Sequence, residues 1–268
     1  MNIALCVKQV PDTTEIKIDP VKKTLIRDGV PSILNPFDGY AVEAALRVKD
    51  QNPDTRIVVI SMGPPQATAV IKEAISLGCD KGYLISDRAF GGSDTLATSY
   101  ILSNAIKEVA KREGISFDII MCGKQAIDGD TAQVGPEIAE HMNLPQVTYA
   151  WEITEKTGDT VVVKREVDDG YELVKINMPC LVTFTKPSWD PRYATLKGKM
   201  AANRAVIEVL GAADVPMDLD RAGLKGSPTK VKSTFTPEVK QGGIKIKEAN
   251  EEASVKKLCS LLSDAKVI

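Results

Sequence analysis

Up to Leu144-Pro145 the chain alternates short apolar runs with longer amphipathic ones, and few folds accept that order. Ile3–Val7, Arg56–Ser61, Tyr83–Ile85 and Phe117–Cys122 are strand-length and apolar almost throughout. Runs of this kind suit strands covered on both faces. Between them lie segments with helical spacing. Asp38 to Lys49 has Val42, Ala45, Leu46 and Val48 on one side, and the segment 66–77 is ended by Gly78. A long helix capped at Ser93-Asp94 is expected to turn Leu96, Ile101, Leu102, Ala105, Ile106 and Val109 inward. Strand and helix in alternation predict an α/β fold: a doubly wound, mainly parallel sheet with helices on both faces.

After Pro145 the texture changes. Val147–Ile153, Thr160–Val167 and Glu172–Ile176 alternate around Thr157-Gly158-Asp159 and Asp169-Gly170, which predicts an added antiparallel hairpin sheet. Pro179–Thr185 reads as another apolar strand completing the sheet. From Pro187 the chain turns basic, then loses periodicity through Gly211–Gly243. So long an unpatterned stretch does not suit an internal loop of a compact domain and reads as an arm lying on another protein. Lys247–Ala265 reads as a terminal helix with Val255, Leu258, Cys259, Leu261 and Leu262 on one face. The expected division is 1–190 for the α/β domain with its antiparallel addition, and 191–268 for a loop and extended C-terminal arm.

The stretch most suggestive of function is Gly123-Lys-Gln-Ala-Ile-Asp-Gly-Asp-Thr-Ala-Gln-Val134. It leaves a strand and enters a helix expected to begin near Thr131. In a parallel sheet such a junction lies at the carboxyl end of a strand, where open α/β folds bind ligands. A helix amino terminus presents unpaired N–H groups and partial positive charge, so it suits phosphate. Thr131 is expected to cap the helix and, with Gln133, to donate to phosphate oxygens. Gly123 and Gly129 let backbone approach a ligand. Asp128 and Asp130 would repel a phosphate, and are assigned to ribose hydroxyls or backbone amides. The alternative is an ordinary strand–loop–helix joint with Asp-Gly as turn chemistry. The spacing is neither a Walker loop nor G-x-G-x-x-G.

Composition removes other classes. A net charge of −2 leaves no nucleic-acid footprint, and no apolar run reaches the length of a membrane span. The amino terminus reads as a first strand, too short for a signal peptide. The five cysteines, at 6, 79, 122, 180 and 259, form no Cys-x-x-Cys pair and read as free thiols, mostly in the core, of a cytoplasmic protein. His141, the single histidine, is expected late in a helix where its charged form suits the dipole. Asp168, Asp169 and Glu172 read as a solvated hairpin rather than a metal site. No catalytic residue and no metal site are expected.

Four stretches, in order along the chain, resemble the beta subunit of electron-transfer flavoproteins. They are Val7-Lys-Gln-Val-Pro-Asp12 with Asn35-Pro36-Phe37; Gly123-Lys124-Gln125-Ala126-Ile127-Asp128; Arg165-Glu-Val-Asp-Asp-Gly-Tyr-Glu-Leu-Val174 with Pro179-Cys-Leu-Val-Thr183; and Pro191-Arg192-Tyr193-Ala194-Thr195-Leu196. The resemblance implies a heterodimer whose alpha subunit holds one FAD in a mobile domain that carries electrons to a dehydrogenase. It implies a nucleotide pocket of Cys6, Asn35, Pro36, Phe37, Asp38, Met62, Gly123, Lys124, Gln125, Ala126, Ile127, Asp128, Gly129, Asp130, Thr131, Ala132, Gln133 and Val134. It further implies a dehydrogenase-docking loop of Arg192, Tyr193, Ala194, Thr195 and Leu196.

Ordinary members hold AMP in this pocket, and electron-bifurcating members hold a second FAD. Val7–Asp12 and Asp128-Gly-Asp-Thr-Ala-Gln-Val-Gly-Pro-Glu137 resemble the bifurcating type, with Gly129 and Gly135 leaving space and Pro136 fixing the helix start. That resemblance implies electrons from NADH, split between ferredoxin or flavodoxin and the alpha-subunit FAD. The dehydrogenase would be of acyl-CoA, caffeoyl-CoA or lactate type, and NADH oxidation would need the alpha partner. An ordinary carrier with structural AMP, and a non-redox nucleotide sensor of the same fold, are the alternatives.

Overall fold

A single nine-stranded sheet organises the computed structural model, which describes residues 1–12, 31–232 and 242–268. At its centre β1 (Asn2–Cys6) lies parallel to β4 (Arg56–Met62) on one side and to β6 (Ile119–Gly123) on the other. Beyond β4 come β5 (Lys81–Ile85) and the short edge strand β11 (Glu208–Leu210). Beyond β6 come β10 (Cys180–Phe184) and β7 (Gln146–Thr157), both parallel to it, then β8 (Thr160–Val167) and β9 (Gly170–Asn177) in antiparallel array. The antiparallel strands thus extend the parallel sheet itself. A separate pair, β2 (Gln9–Pro11) and β3 (Ser32–Leu34), is antiparallel.

Burial follows the two-residue period of the strands and sorts the core into two layers. Ile3, Leu5, Ile57, Val59, Leu84, Ile119, Met121, Val182 and Phe184 pack beneath α1 (Pro36–Gln51) and α2 (Thr68–Leu77). Ala4, Cys6, Val58, Ile60, Tyr83, Ile85, Ile120 and Cys122 pack beneath α3 (Thr95–Glu113) and α4 (Val134–Met142). From β5 the chain crosses over by α3 to β6, on the far side of β1. The strand order therefore reverses between β1 and β6, and a crevice opens at their carboxyl ends.

Boundaries differ from expectation in physically simple ways. Helix α1 begins at Pro36, since proline is tolerated at the first helical position. Asp94 caps α3 by accepting from Ala97 N–H at 3.1 Å, but Leu96 sits on the outer side of the first turn and is 42% exposed. His141 is in the last turn of α4 and packs edge-on to Tyr100. Burial, and then Arg221, hold its pKa below the ordinary value, against the expected dipole-stabilised charge. Cysteines 6, 79, 122 and 180 are buried free thiols, whereas Cys259 is exposed. Among the described residues no cluster suits a metal ion, and no helix is long and apolar enough to cross a membrane.

Residues 211–229 pack on the α/β unit, contrary to the expected arm on another protein. Val215 and Ala222 join the α3–α4 core layer and Ser227 is 5% exposed. What replaces periodicity is polar anchoring. Asp94 N–H donates to Ser227 Oγ at 2.9 Å, and Asp94 accepts from Thr229 Oγ1 at 2.8 Å. The rest of the expected arm, 233–241, lies outside the described residues. A second unit, taken by itself, contains α6 (Glu251–Asp264), capped by Asn250 and without a buried residue. Val255 and Leu258 on it are exposed.

The α2–β5 contact depends on a missing side chain. A Cβ on Gly82 would lie 2.1 Å from Ile71 Cγ2, and Ile71 is fully buried and stiff at χ1. Gly82→Ala is expected to cost about 1–3 kcal/mol by overpacking, read as a lower urea midpoint. An unchanged midpoint would show that α2 backs away freely.

Candidate nucleotide-binding cleft

A cleft of about 900 Å³ occupies the crevice at the carboxyl ends of β1, β4, β5 and β6. Its floor is held by Asp38, in the first turn of α1. One carboxylate oxygen accepts from Lys8 N–H at 2.7 Å, just past β1. The other accepts from Gly123 N–H at 2.9 Å, at the end of β6. Asp38 thus ties together the two strands that diverge at the order reversal. Gly123 permits this: a Cβ there would meet Asp38 Oδ1 at 2.5 Å and Phe37 backbone at 2.6 Å. Burial pushes Asp38 up to about 7, against the pull of the Lys8, Asn35 and Gly123 hydrogen bonds.

Asn35 performs the matching task one turn earlier. It is 1% exposed, donates from Nδ2 to Gln125 O at 2.8 Å, and accepts from Ile127 N–H at 3.1 Å. The loop 124–133 therefore hangs on α1 rather than on the strand it leaves. Within the loop, Asp130 and Ala132 both adopt φ near +54°, a left-handed conformation that non-glycine residues rarely keep without external support. Backbone of this kind turns N–H groups into an anion-binding concavity.

Of the residues expected at a nucleotide pocket, Cys6, Asn35, Asp38, Met62, Gly123, Lys124, Gln125, Ala126, Gly129, Thr131, Ala132, Gln133 and Val134 line this cleft. Pro36, Phe37, Ile127, Asp128 and Asp130 are not part of its lining. Asp128 pairs with Lys8 Nζ at 2.7 Å, and Asp130 accepts from the Gln125 side chain, so neither is spent on a backbone amide. Lys124 Nζ lies 5.0 Å from the Phe37 ring and 5.4 Å from that of Tyr149. The thiols of Cys6 and Cys122 are protonated, the former pushed up to about 12 by burial and then Asp38.

Three local expectations change. Helix α4 starts at Val134 with Gln133 before it, and no side chain caps it; Thr131 lies outside the helix and is exposed. The first N–H groups of α4 are left for a ligand or solvent. Gly135 does not free pocket space: a Cβ there would meet Thr183 Cγ2 at 2.6 Å, so it lets α4 close on the sheet. Gly129 has open space around it.

Half of the cleft wall escaped the sequence reading. Gly63, Pro64 and Pro65 after β4, and Ile85 at the end of β5 with Ser86–Arg88 and Phe90–Thr95 after it, line the rest of the cleft. Thr95, at the start of α3, donates to Gln133 Oε1 at 3.1 Å or Glu137 Oε1 at 3.2 Å, both beside the start of α4. Two helix amino termini thus converge on one opening. The pairing of Ser93-Asp94 with a strand end was the available signal; the packing that brings them to the cleft was not. The donor set suits a phosphate-bearing ligand: free N–H groups of α4, the hydroxyl of Thr131, and Arg88 and Lys124 at the wall.

The second expected site, Arg192–Leu196, lies on the α1–α2 side. Arg192 Nε and Nη2 contact both oxygens of Glu43 at 2.8 and 3.1 Å, and its Nη2 reaches Asp50 at 2.6 Å. Tyr193 is 96% and Leu196 78% exposed, and Ala194 is half-buried. Thr195 caps α5 (Leu196–Arg204), accepting from Gly198 N–H at 3.0 Å. Met200, one turn beyond Leu196, is also exposed and extends the apolar stripe.

Comparison with known proteins adds the following. The family described as electron transfer flavoprotein domain matches residues 22–215. The chain is 52% identical, over all of both chains, to the electron transfer flavoprotein subunit beta of Megasphaera elsdenii. It is 46% identical, again over all of both chains, to the caffeyl-CoA reductase-Etf complex subunit CarD of Acetobacterium woodii. It is also 46% identical, over 94% of each chain, to the acryloyl-CoA reductase electron transfer subunit gamma of Anaerotignum propionicum.

The Asp38 clamp carries a pH signature. Its pKa is raised on folding, so its ionisation lowers stability as pH climbs from about 4 toward its folded value near 7. Asp38→Asn lacks that ionisation but leaves one N–H facing an amide, at a loss of about 1–3 kcal/mol. The stability advantage of wild type over Asp38→Asn should be largest near pH 4 and shrink toward pH 7.5. Urea midpoints across that range read it, and a pH-independent difference would refute the assignment.

Proposed function

The chain belongs to the electron transfer flavoprotein family as a beta subunit, and from that premise we propose that it holds FAD in the cleft between β1 and β6. The observation that carries this reading is the extent of the cleft beyond the 123–134 loop, along the segments after β4 and β5. A mononucleotide beneath the 123–134 loop would engage the α4 terminus and leave the wall of Gly63–Pro65 and Ser86–Thr95 without contact. A dinucleotide extends across both, with its phosphates at the uncapped amino terminus of α4, since Asp94 already caps α3. A bound FAD would supply two-electron oxidation of NADH and one-electron delivery to two acceptors.

The chain's own residues bind and orient. Asp38 and Asn35 fix the loop backbone, the α4 N–H groups and Thr131 hold phosphate, and Ile85, Phe90, Leu102 and Ile138 exclude water from the apolar part of the cleft. Buried, protonated Cys6 and Cys122 offer no competing nucleophile. Electrons from NADH would pass to ferredoxin or flavodoxin and, through the alpha-subunit FAD, to a dehydrogenase acting on an acyl-CoA class of substrate. The caffeyl-CoA and acryloyl-CoA names of two relatives support that class over the lactate type. Helix α6, with Val255, Leu258, Leu261 and Leu262, would meet the alpha subunit. The stripe of Tyr193, Leu196 and Met200 would meet the dehydrogenase; a nucleotide sensor has no use for such a stripe. The setting is cytoplasmic.

The heterodimer with its alpha subunit, denatured after gel filtration, should release two FAD and little AMP. One FAD with stoichiometric AMP would replace this reading with that of an ordinary carrier.

A further inference from the structure

The loop preceding α5 is locked before any partner arrives. At its start, Trp189 packs against Arg47, whose guanidinium lies 4.3 Å from the ring and whose Nε donates to Glu43 at 3.2 Å. Arg192 then commits nearly all its donors inward. Its backbone N–H and Nε both reach Glu43 Oε2, at 3.1 and 2.8 Å, and Nη1 and Nη2 span Asp50 at 3.3 and 2.6 Å. Glu43 is 4% exposed, so this is a buried carboxylate satisfied by arginines. At the loop's other end Gly198 lies against α2, where a Cβ would meet Ser76 O at 2.0 Å. Between the lock on α1 and the contact on α2, Tyr193 and Leu196 are held outward.

We propose that Arg192 is a positioning residue for docking, which touches no dehydrogenase atom but fixes Tyr193 and Leu196 in the geometry that docks. This rests on the docking assignment made above. An apolar anchor gains affinity when it is rigid before binding, because less conformational entropy is lost on association. An arginine that reached across the interface would need its donors free, and these are turned into the chain. Lysine cannot replace it, since a point charge does not span two carboxylates.

The test uses the heterodimer with an acyl-CoA-type dehydrogenase, measuring KM for the dehydrogenase and kcat of coupled turnover. Arg192→Met and Leu196→Ala are each expected to raise KM by about thirtyfold, on the scale of a hot-spot residue, with kcat little changed. Arg192→Lys should recover less than half of that loss. In a Leu196→Ala background, Arg192→Met should add less than about twofold, because the two act through one contact. Additive effects that weaken with added salt would show direct contact by Arg192 and overturn the proposal. So would a lowered melting temperature with unchanged KM, which marks a purely structural ion pair. If Leu196→Ala alone leaves KM unchanged, the docking assignment itself is wrong, and the positioning role falls with it.

Discussion

A carboxylate placed across the point where the sheet reverses holds this structure's functional end together. Two parallel strands that diverge leave backbone N–H groups at their carboxyl ends without a ladder partner. Asp38 accepts from both, at Lys8 and Gly123. The geometry exacts two further conditions. Residue 123 must lack a side chain, and the aspartate must sit on the first turn of a helix packed over β1. Asn35 repeats the device on the loop. The cleft is therefore an outgrowth of helix α1 as much as of the sheet.

The same helix serves a second purpose. Its first turn anchors the loop 124–133, and Glu43 in its middle with Asp50 in its last turn holds the loop before α5. The energies differ in kind. Asp38 and Glu43 are buried carboxyl groups, whose value depends on complete satisfaction, and removing one partner from such a group typically costs a few kcal/mol. Lys8–Asp128, with both side chains substantially exposed, is a surface pair worth about 1 kcal/mol at most. Most of the stability comes from the two apolar layers, and the charged groups decide where loops go.

The fold was legible because burial on both faces of a parallel sheet leaves continuous apolar strands, and because helix caps and glycine stops are local. Asp94 and Gly78 could be read in place. Leu96 could not, since an apolar residue in a first turn faces inward or outward according to the crossing of its helix. Segment 211–229 was misjudged for a related reason. It is held by side-chain hydrogen bonds over long sequence separations, which no periodicity reports. The loop 123–134 was legible as a junction, while the left-handed backbone at Asp130 and Ala132 was not, since neither is glycine. Arg192 stood out as a motif residue, but its acidic partners lie on a helix far earlier in the chain.

The anchoring of Asp94 by Ser227 and Thr229 also has a consequence for how the molecule is made. Those contacts span 133 and 135 residues, among the longest separations in the chain. Synthesis delivers the central strands, their helices and the loop at 123–134 well before residue 229 emerges. A nascent chain of intermediate length can assemble both core layers yet lacks the tether on the wall that begins α3. Closing so long a loop is slow compared with local helix formation. The wall that begins α3 is thus the last part of the α/β unit to receive its tether as the chain emerges.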